Sequence, residues 1–203
     1  MQIAAGQSFF ECVTDRADTI VRNLEWVFIK ADGSAIKSPE ACELLVLAGE
    51  SYTSHFVDTA LRIPAVRWAH TEDAGTDGRF YDTMRARGVT ITHSPGTNAR
   101  EVAEFAFGQM LWLAKQYDTF REQQRARQWK VLGLEALSDK TLLIVGLGAI
   151  GQHIAHFAKA FGMQVLGIRR SPEPVPNVDQ QGTLADLPYF LSAADFVVLA
   201  VPL

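Results

Sequence analysis

Cysteine is nearly absent, with Cys12 and Cys42 the two in 203 residues. Two thiols cannot build the dense disulfide framework of a small secreted domain, nor a four-cysteine zinc site, so both read as buried reduced thiols. Long apolar runs are missing too. No stretch approaches the roughly 18 residues that a membrane helix requires, and Glu11, Asp15, Arg16 and Asp18 interrupt the N-terminal segment before it could form a signal peptide. A basic excess is absent as well: 19 Lys and Arg against 23 Asp and Glu leave a net charge of -4, with no surplus to neutralise a phosphate backbone. These absences argue against membrane-spanning and general nucleic-acid-binding roles and for a soluble protein of a reducing, cytoplasmic compartment. What is there, 48% hydrophobic and 21% charged residues, is too apolar for disorder and long enough for one large domain or two small ones. No solenoid repeat and no low-complexity tract occurs.

Strand-like and helix-like segments alternate along the first half. Leu44 to Leu47, Ala65 to His70 and Val89 to Thr92 read as strands, Tyr52 to Leu61 as a helix, and Trp26 to Lys30 as a candidate first strand of the same sheet. Such alternation predicts a parallel, doubly wound α/β sheet. Asn98 followed by Glu101 fits a capping box, so a helix is expected from there through Tyr117. It is apolar on nearly every side as far as Ala114, which implies burial all round. From Phe120 to Lys130 charged and amide residues take over, which would carry the helix into solvent or against a partner chain. A second unit follows: strand Thr141 to Val145, helix Ala149 to Phe161, strand Gln164 to Ile168, helix Leu184 to Ala193, and strand Phe196 to Val201. Pro172, Pro174 and Pro176 mark an extended connector. The division falls after residue 97, with residues 1–97 as one domain and 98–203 as a long helix and the start of another.

Gly146, Leu147, Gly148, Ala149, Ile150 and Gly151 match G-x-G-x-x-G directly after an apolar strand and at the opening of a helix, the context in which the motif signifies dinucleotide binding. Gly146 permits the tight turn, Gly148 lets the backbone approach a pyrophosphate, and Gly151 lets helix and strand pack closely. Free N–H groups at Ala149 and Ile150 would join the positive end of the helix dipole in holding that pyrophosphate. A ligand-free glycine turn is the bland alternative. About 20 residues on, where an NAD site places an acid for the ribose hydroxyls, stand Arg169 and Arg170. Either they pair with a 2'-phosphate, which favours NADP over NAD, or they are solvated surface charges. His153 and His156 read as a solvated helix face, since no acid or cysteine completes a metal set. His55, His70 and His93 are isolated in sequence and carry no argument for nucleophilic or zinc chemistry.

Taken in order, Asp73-Ala74-Gly75-Thr76-Asp77, Asn98-Ala99-Arg100-Glu101-Val102-Ala103-Glu104, the lead-in Leu137-Ser138-Asp139-Lys140-Thr141 to the glycine motif, and Val201-Pro202-Leu203 resemble the D-isomer-specific 2-hydroxyacid dehydrogenases over about residues 42 to 203. The resemblance implies a flavodoxin-like substrate-binding domain (1–97), followed by the interdomain helix and the first half of a Rossmann domain (98–203). It implies hydride transfer between a nicotinamide and the C2 carbon of a 2-hydroxy or 2-oxo acid, with a homodimer for the complete protein. Carried over by position, Ala74 and Gly75 form the loop whose backbone N–H groups hold the substrate carboxylate, Asn98 faces the cleft, and Val201 and Pro202 line the cofactor site. A plain strand-ending turn is the alternative for Ala74 and Gly75. The family commonly has a small neutral residue where Asp73 stands; a carboxylate there repels an anionic substrate unless it points away.

The family's catalytic Arg, Glu and His all follow the position of Val201-Pro202-Leu203, and this sequence stops at Leu203. No catalytic residue is therefore assigned, and these 203 residues are expected to show no turnover by themselves. With strand order 3-2-1-4-5-6 and three strands visible, Thr141 to Val145 is expected to be an exposed edge that promotes self-association. Two functions remain: part of an NADP(H)-linked 2-oxo acid reductase, or a non-catalytic NAD(P)-binding regulatory module of the same fold. Coding sequence beyond Leu203 would separate them.

Overall fold

The structure, a computed structural model, describes residues 2–6, 24–49 and 53–201. Cys12, Tyr52 and Pro202 lie outside the described residues. The chain divides into two compact units, residues 1–97 and 98–203.

In the first unit β1 (Gln2–Gly6), β2 (Glu25–Ile29), β3 (Leu44–Leu47), β4 (Trp68–Thr71) and β5 (Thr90–His93) form one sheet, with α1 (Ser54–Arg62) between β3 and β4 and α2 (Arg79–Ala86) between β4 and β5. The strand order is β2-β1-β3-β4-β5, with every pair parallel. That is the flavodoxin-like order. Alternation along the strands gives the sheet two faces. Ala4, Val27, Leu45, Leu47 and Ala69 pack under Phe56, Ala60, Phe80 and Met84 of the two helices, while Ile3, Ala5, Leu44 and Val46 form a smaller cluster on the other side. Thr53 starts α1 by accepting the Phe56 N–H on its hydroxyl at 3.3 Å, and Pro64 forbids its continuation. Phe56 is fully buried, which is worth about 2 to 3 kcal/mol of transfer free energy. Gln2–Gly6 escapes sequence reading because three of its five residues are Ala or Gly, which carry little strand signal.

The second unit contains α3 (Ala99–Ala114), α4 (Tyr117–Arg125), β6 (Thr141–Val145), α5 (Ala149–Ala160), β7 (Gln164–Ile168), β8 (Gln180–Gly182), a 3-10 turn (Leu184–Asp186), α6 (Leu187–Ala193) and β9 (Phe196–Leu199). Its parallel sheet runs β8-β7-β6-β9. These are positions 3-2-1-4 of the Rossmann order. The expected placement of Thr141 to Val145 at an edge is therefore corrected: β6 is inside the sheet, and the edge beyond it is β9. The error lay in β8, a three-residue polar strand with no hydrophobic run to announce it. Its place is set from the chain before it, where the Asp179 carboxylate accepts the Val165 N–H at 2.7 Å and the Lys159 ammonium at 2.9 Å, and Asp179 N–H donates to the Val165 carbonyl at 2.9 Å.

Three expectations for the long helix are also corrected. It stops at Ala114, because Gln116 takes a left-handed conformation (φ 51°) and α4 begins anew. Its N-cap Asn98 makes no side-chain cap hydrogen bond, so the capping box does not form. Burial is confined to one stripe, Ala103, Phe107, Met110 and Ala114, which packs with α5 through Phe107 against Phe157 and Phe161 at ring separations of 6.0 and 4.8 Å. On another face Phe105 and Leu113 are 70% and 69% exposed. Apolar content alone does not reveal which side of a helix finds a neighbour.

Candidate functional site

β6 ends in the glycine turn. Gly146 has φ +102°, which an L side chain rarely adopts, and a Cβ there would strike the Ala200 carbonyl. A Cβ on Gly151 would strike the Gly146 carbonyl and lie 3.2 Å from Ile144 Cγ2, so this glycine is what lets α5 press onto β6. Gly148 is different: a Cβ there meets nothing within 4 Å. Among the described residues its bareness serves no packing need, and it leaves backbone accessible from outside. The Gln152 N–H donates to the Gly148 carbonyl at 3.0 Å, and the N–H groups of Ala149 and Ile150, in the first turn of α5, have no carbonyl one helical turn earlier to receive them. They sit at the positive end of the helix dipole, a ready site for an anion.

Around this turn opens a cleft of about 910 Å³, lined by Gly146, Leu147 and Gly148, by Ile168, Arg169, Arg170 and Ser171 after β7, by Thr183 to Ala185 after β8, and by Ala200 and Val201 after β9. It lies at the C-terminal ends of the strands, where open α/β sheets bind ligands. Among the described residues neither Arg169 nor Arg170 is in an ion pair. The nearby acid Asp186 is committed to capping, accepting the Thr183 N–H at 2.8 Å and its hydroxyl at 3.1 Å. The cleft wall thus offers two uncommitted guanidinium groups. The Gln181 amide donates to the Ser171 and Glu173 carbonyls at 3.2 and 3.1 Å, bracing the loop that carries the arginines. The space at Gly148, the exposed donors and the cationic wall fit a dinucleotide's phosphates.

Gly146, Gly148, Arg169, Arg170 and Val201 are brought to one cleft, with Ala149 and Ile150 opening its helix and Gly151 beneath it. Ala74 and Gly75 belong to the first unit and Asn98 to the second. Both Ala74 and Gly75 are exposed, in the loop leaving β4. Two histidines that stood alone in sequence have partners here. His93 Nδ1 lies 2.8 Å from the Ala74 carbonyl oxygen. His70 bridges two hydroxyls, with Nδ1 at 2.8 Å from Thr92 Oγ1 and Nε2 at 3.1 Å from Ser94 Oγ, and Trp68 Nε1–H donates to the same Thr92 oxygen at 2.8 Å. Sequence reading missed both because the pairs are 19 to 24 residues apart, and parallel register alone makes them neighbours. Among the described residues no group of three or more His, Cys, Asp or Glu could hold a metal ion, and no helix is long and apolar enough to cross a membrane.

Residues 107–203 match the family model described as D-isomer specific 2-hydroxyacid dehydrogenase, NAD binding domain. Among curated proteins the chain is similar to a glyoxylate reductase of Thermococcus gammatolerans, 29% identical over 169 residues, covering 79% of this chain and 50% of that protein. It is also similar to a hydroxypyruvate reductase of Thermotoga maritima, 29% identical over 167 residues, covering 81% and 53%. The chain spans about half the length of these relatives. Among solved structures, a D-isomer specific 2-hydroxyacid dehydrogenase family protein from Aeromonas salmonicida subsp. salmonicida matches over 100% of this chain and 64% of its own, with a TM-score of 0.78 and 27% identity. A D-isomer specific 2-hydroxyacid dehydrogenase from Xanthobacter autotrophicus Py2, crystallised with NADPH and MES, shares the fold over 100% of this chain and 64% of its own, with a TM-score of 0.71 and 22% identity.

Proposed function

Because the chain belongs, through residues 107–203, to the D-isomer specific 2-hydroxyacid dehydrogenase family, we propose that the whole protein passes a hydride between a nicotinamide cofactor and the C2 carbon of a 2-hydroxy or 2-oxo acid. Residues 1–203 would supply cofactor binding and the first part of the substrate site. The observation that carries this reading is the pair of glycines three residues apart, one bare toward the cleft and one locked in packing, beside two arginines in no ion pair among the described residues.

The N–H groups at Gly148, Ala149 and Ile150 bind the pyrophosphate with the dipole of α5 behind them. Arg169 and Arg170 hold a 2'-phosphate, each charge-assisted bond being worth about 1.5 to 3 kcal/mol. Val201 closes the far wall. When bound, the nicotinamide supplies or accepts the hydride. In the first unit the Ala74 and Gly75 amides take the substrate carboxylate without adding a titratable group; Asn98, the N-cap residue of α3 in the second unit, is a further candidate for binding substrate. The cofactor we infer is NADP(H). Cys42, buried and unpaired, suits the reducing cytoplasm in which we place the protein.

Calorimetric titration with NADPH and NADH tests the reading. NADPH is expected to bind the wild type about tenfold or more tightly than NADH, and Arg169→Asp to reverse the order by removing the pairing group and supplying an acceptor for ribose hydroxyls. Tighter NADH binding by the wild type would overturn the cofactor preference alone. Absence of binding by both would overturn the dinucleotide site.

A further inference from the structure

The loop between β4 and α2 is braced from several sides. The Gly49 N–H donates to Glu72 Oε1 at 2.8 Å, the Asp73 N–H to Thr71 Oγ1 at 3.3 Å, and the Arg85 guanidinium to both the carbonyl and the hydroxyl of Thr76 at 2.8 Å. Between these clamps lies the Ala74–Gly75 peptide. Among the described residues its one side-chain partner is His93, at the end of β5, whose Nδ1 is 2.8 Å from the Ala74 oxygen. A carbonyl oxygen can only accept, so Nδ1 carries the proton and donates. The peptide is planar and trans, so its C=O and N–H point in opposite directions. Holding the Ala74 oxygen toward His93 turns the Gly75 N–H away from it. That N–H has no acceptor among the described residues, and the space where a Gly75 Cβ would stand is empty to 4 Å. Glycine lets a peptide plane rotate at small steric cost, so without a tether this donor would have no fixed direction.

We propose that His93 is a positioning residue for substrate: its Nδ1–H, held on the Ala74 carbonyl, orients the Gly75 amide that receives the substrate carboxylate. This rests on the reading of Ala74 and Gly75 as the carboxylate site, and adds to it a side chain that selects the peptide orientation. His93 acts through the backbone and touches no reacting atom.

The test uses the 203-residue chain and oxamate, an unreactive carboxylate that keeps the 2-oxo group, followed by amide nuclear magnetic resonance. In the wild type oxamate is expected to shift the Ala74 and Gly75 amide signals saturably. His93→Gln, whose amide reaches to the Nε2 rather than the Nδ1 position, should weaken oxamate about tenfold or more, the size of one hydrogen bond to a charged group. His93→Asn, which keeps a donor near the Nδ1 position, should restore most of the affinity. The amide spectra of all three proteins should overlay outside the loop between β4 and α2 and the end of β5, which a loss of structure in the first unit would not allow. If oxamate shifts these amides in the wild type and in His93→Gln with equal affinity, the positioning role is overturned and the carboxylate site stands. If oxamate leaves the wild-type amides unmoved, the carboxylate site falls and the positioning role with it. Should His93→Gln fail to fold, His93→Ala, rescued or not by added imidazole, decides in the same way.

Discussion

A methyl group added at Gly151 would lie against the Gly146 carbonyl, whereas one added at Gly148 meets no atom within 4 Å. The same chemical change therefore has two outcomes at positions three residues apart. Gly151→Ala has to push α5 off β6, an overpacking cost of about 1 to 3 kcal/mol, and should lower the thermal midpoint whether or not cofactor is present. Gly148→Val should leave the unfolding midpoint of the unliganded protein close to wild type, since its side chain enters open space. Its cofactor affinity should fall at least tenfold in calorimetry, because that space is where a pyrophosphate must approach. A Gly148→Val protein that binds NADPH normally would show that the turn is structural and not a binding cradle.

At the scale of elements, Asp195 ties β6 to β9 where both strands begin. Its carboxylate accepts the Thr141 N–H at 2.8 Å and the Lys140 ammonium at 3.2 Å, and its own N–H donates to the Thr141 carbonyl at 2.9 Å. The Thr141 N–H, the largest effect, lowers this carboxyl below the ordinary aspartate value; burial opposes it, and the Lys140 ammonium adds to the lowering. A carboxyl whose pKa is lower folded than unfolded adds stability that is fully present above its unfolded pKa and is lost as pH falls through the folded one. The second unit should therefore lose stability on acidification below about pH 4, and Asp195→Ala should remove that part of the slope. With the side chain 39% exposed, solvent screens the pair and the loss at neutral pH should be about 1 kcal/mol or less. Urea unfolding at pH 7 and pH 3.5 measures both. Equal pH slopes in wild type and variant would show that the tie contributes nothing.

For the molecule as a whole, the surface around α4 stands out. Trp129 is 96% and Val131 92% exposed, and with Trp112, Tyr117 and Phe120 they line an open groove of about 720 Å³. Exposed aromatic groups in a contiguous patch are characteristic of interfaces and not of the surface of a lone monomer. A homodimer is expected to form there, so sedimentation should show concentration-dependent dimers and Trp129→Asp should leave monomers. The other candidate surface is the β9 edge, where Val197 and Leu199 are exposed. Association that persists in Trp129→Asp but disappears in Val197→Lys would move the interface to that edge.

Much of this was legible in the residues themselves. An apolar strand followed by G-x-G-x-x-G and a helix has few physical solutions, so the turn, the packing roles of Gly146 and Gly151 and the parallel sheet around it follow from local sequence. The arginines after β7 were equally visible, because their distance from the motif is set by one helix and one strand. What local sequence did not determine is anything decided by pairing across the sheet. Gln180, Gln181 and Gly182 became β8 because the neighbouring strand offered backbone partners and Asp179 anchored the approach; that moved β6 from the edge to the interior and β9 to the rim. Asn98 had the pattern of a cap and does not cap, since only the local backbone geometry decides whether its side chain can reach back. His70 and His93 showed no partner in the linear chain. Parallel register set β5 beside β4, which brought one histidine between two hydroxyls and the other onto the Ala74 carbonyl. Periodicity and turn chemistry act within about one turn or strand, and so can be read from a sequence. Hydrogen-bond partners from distant segments depend on register and on where each strand ends, and only the folded chain supplies both.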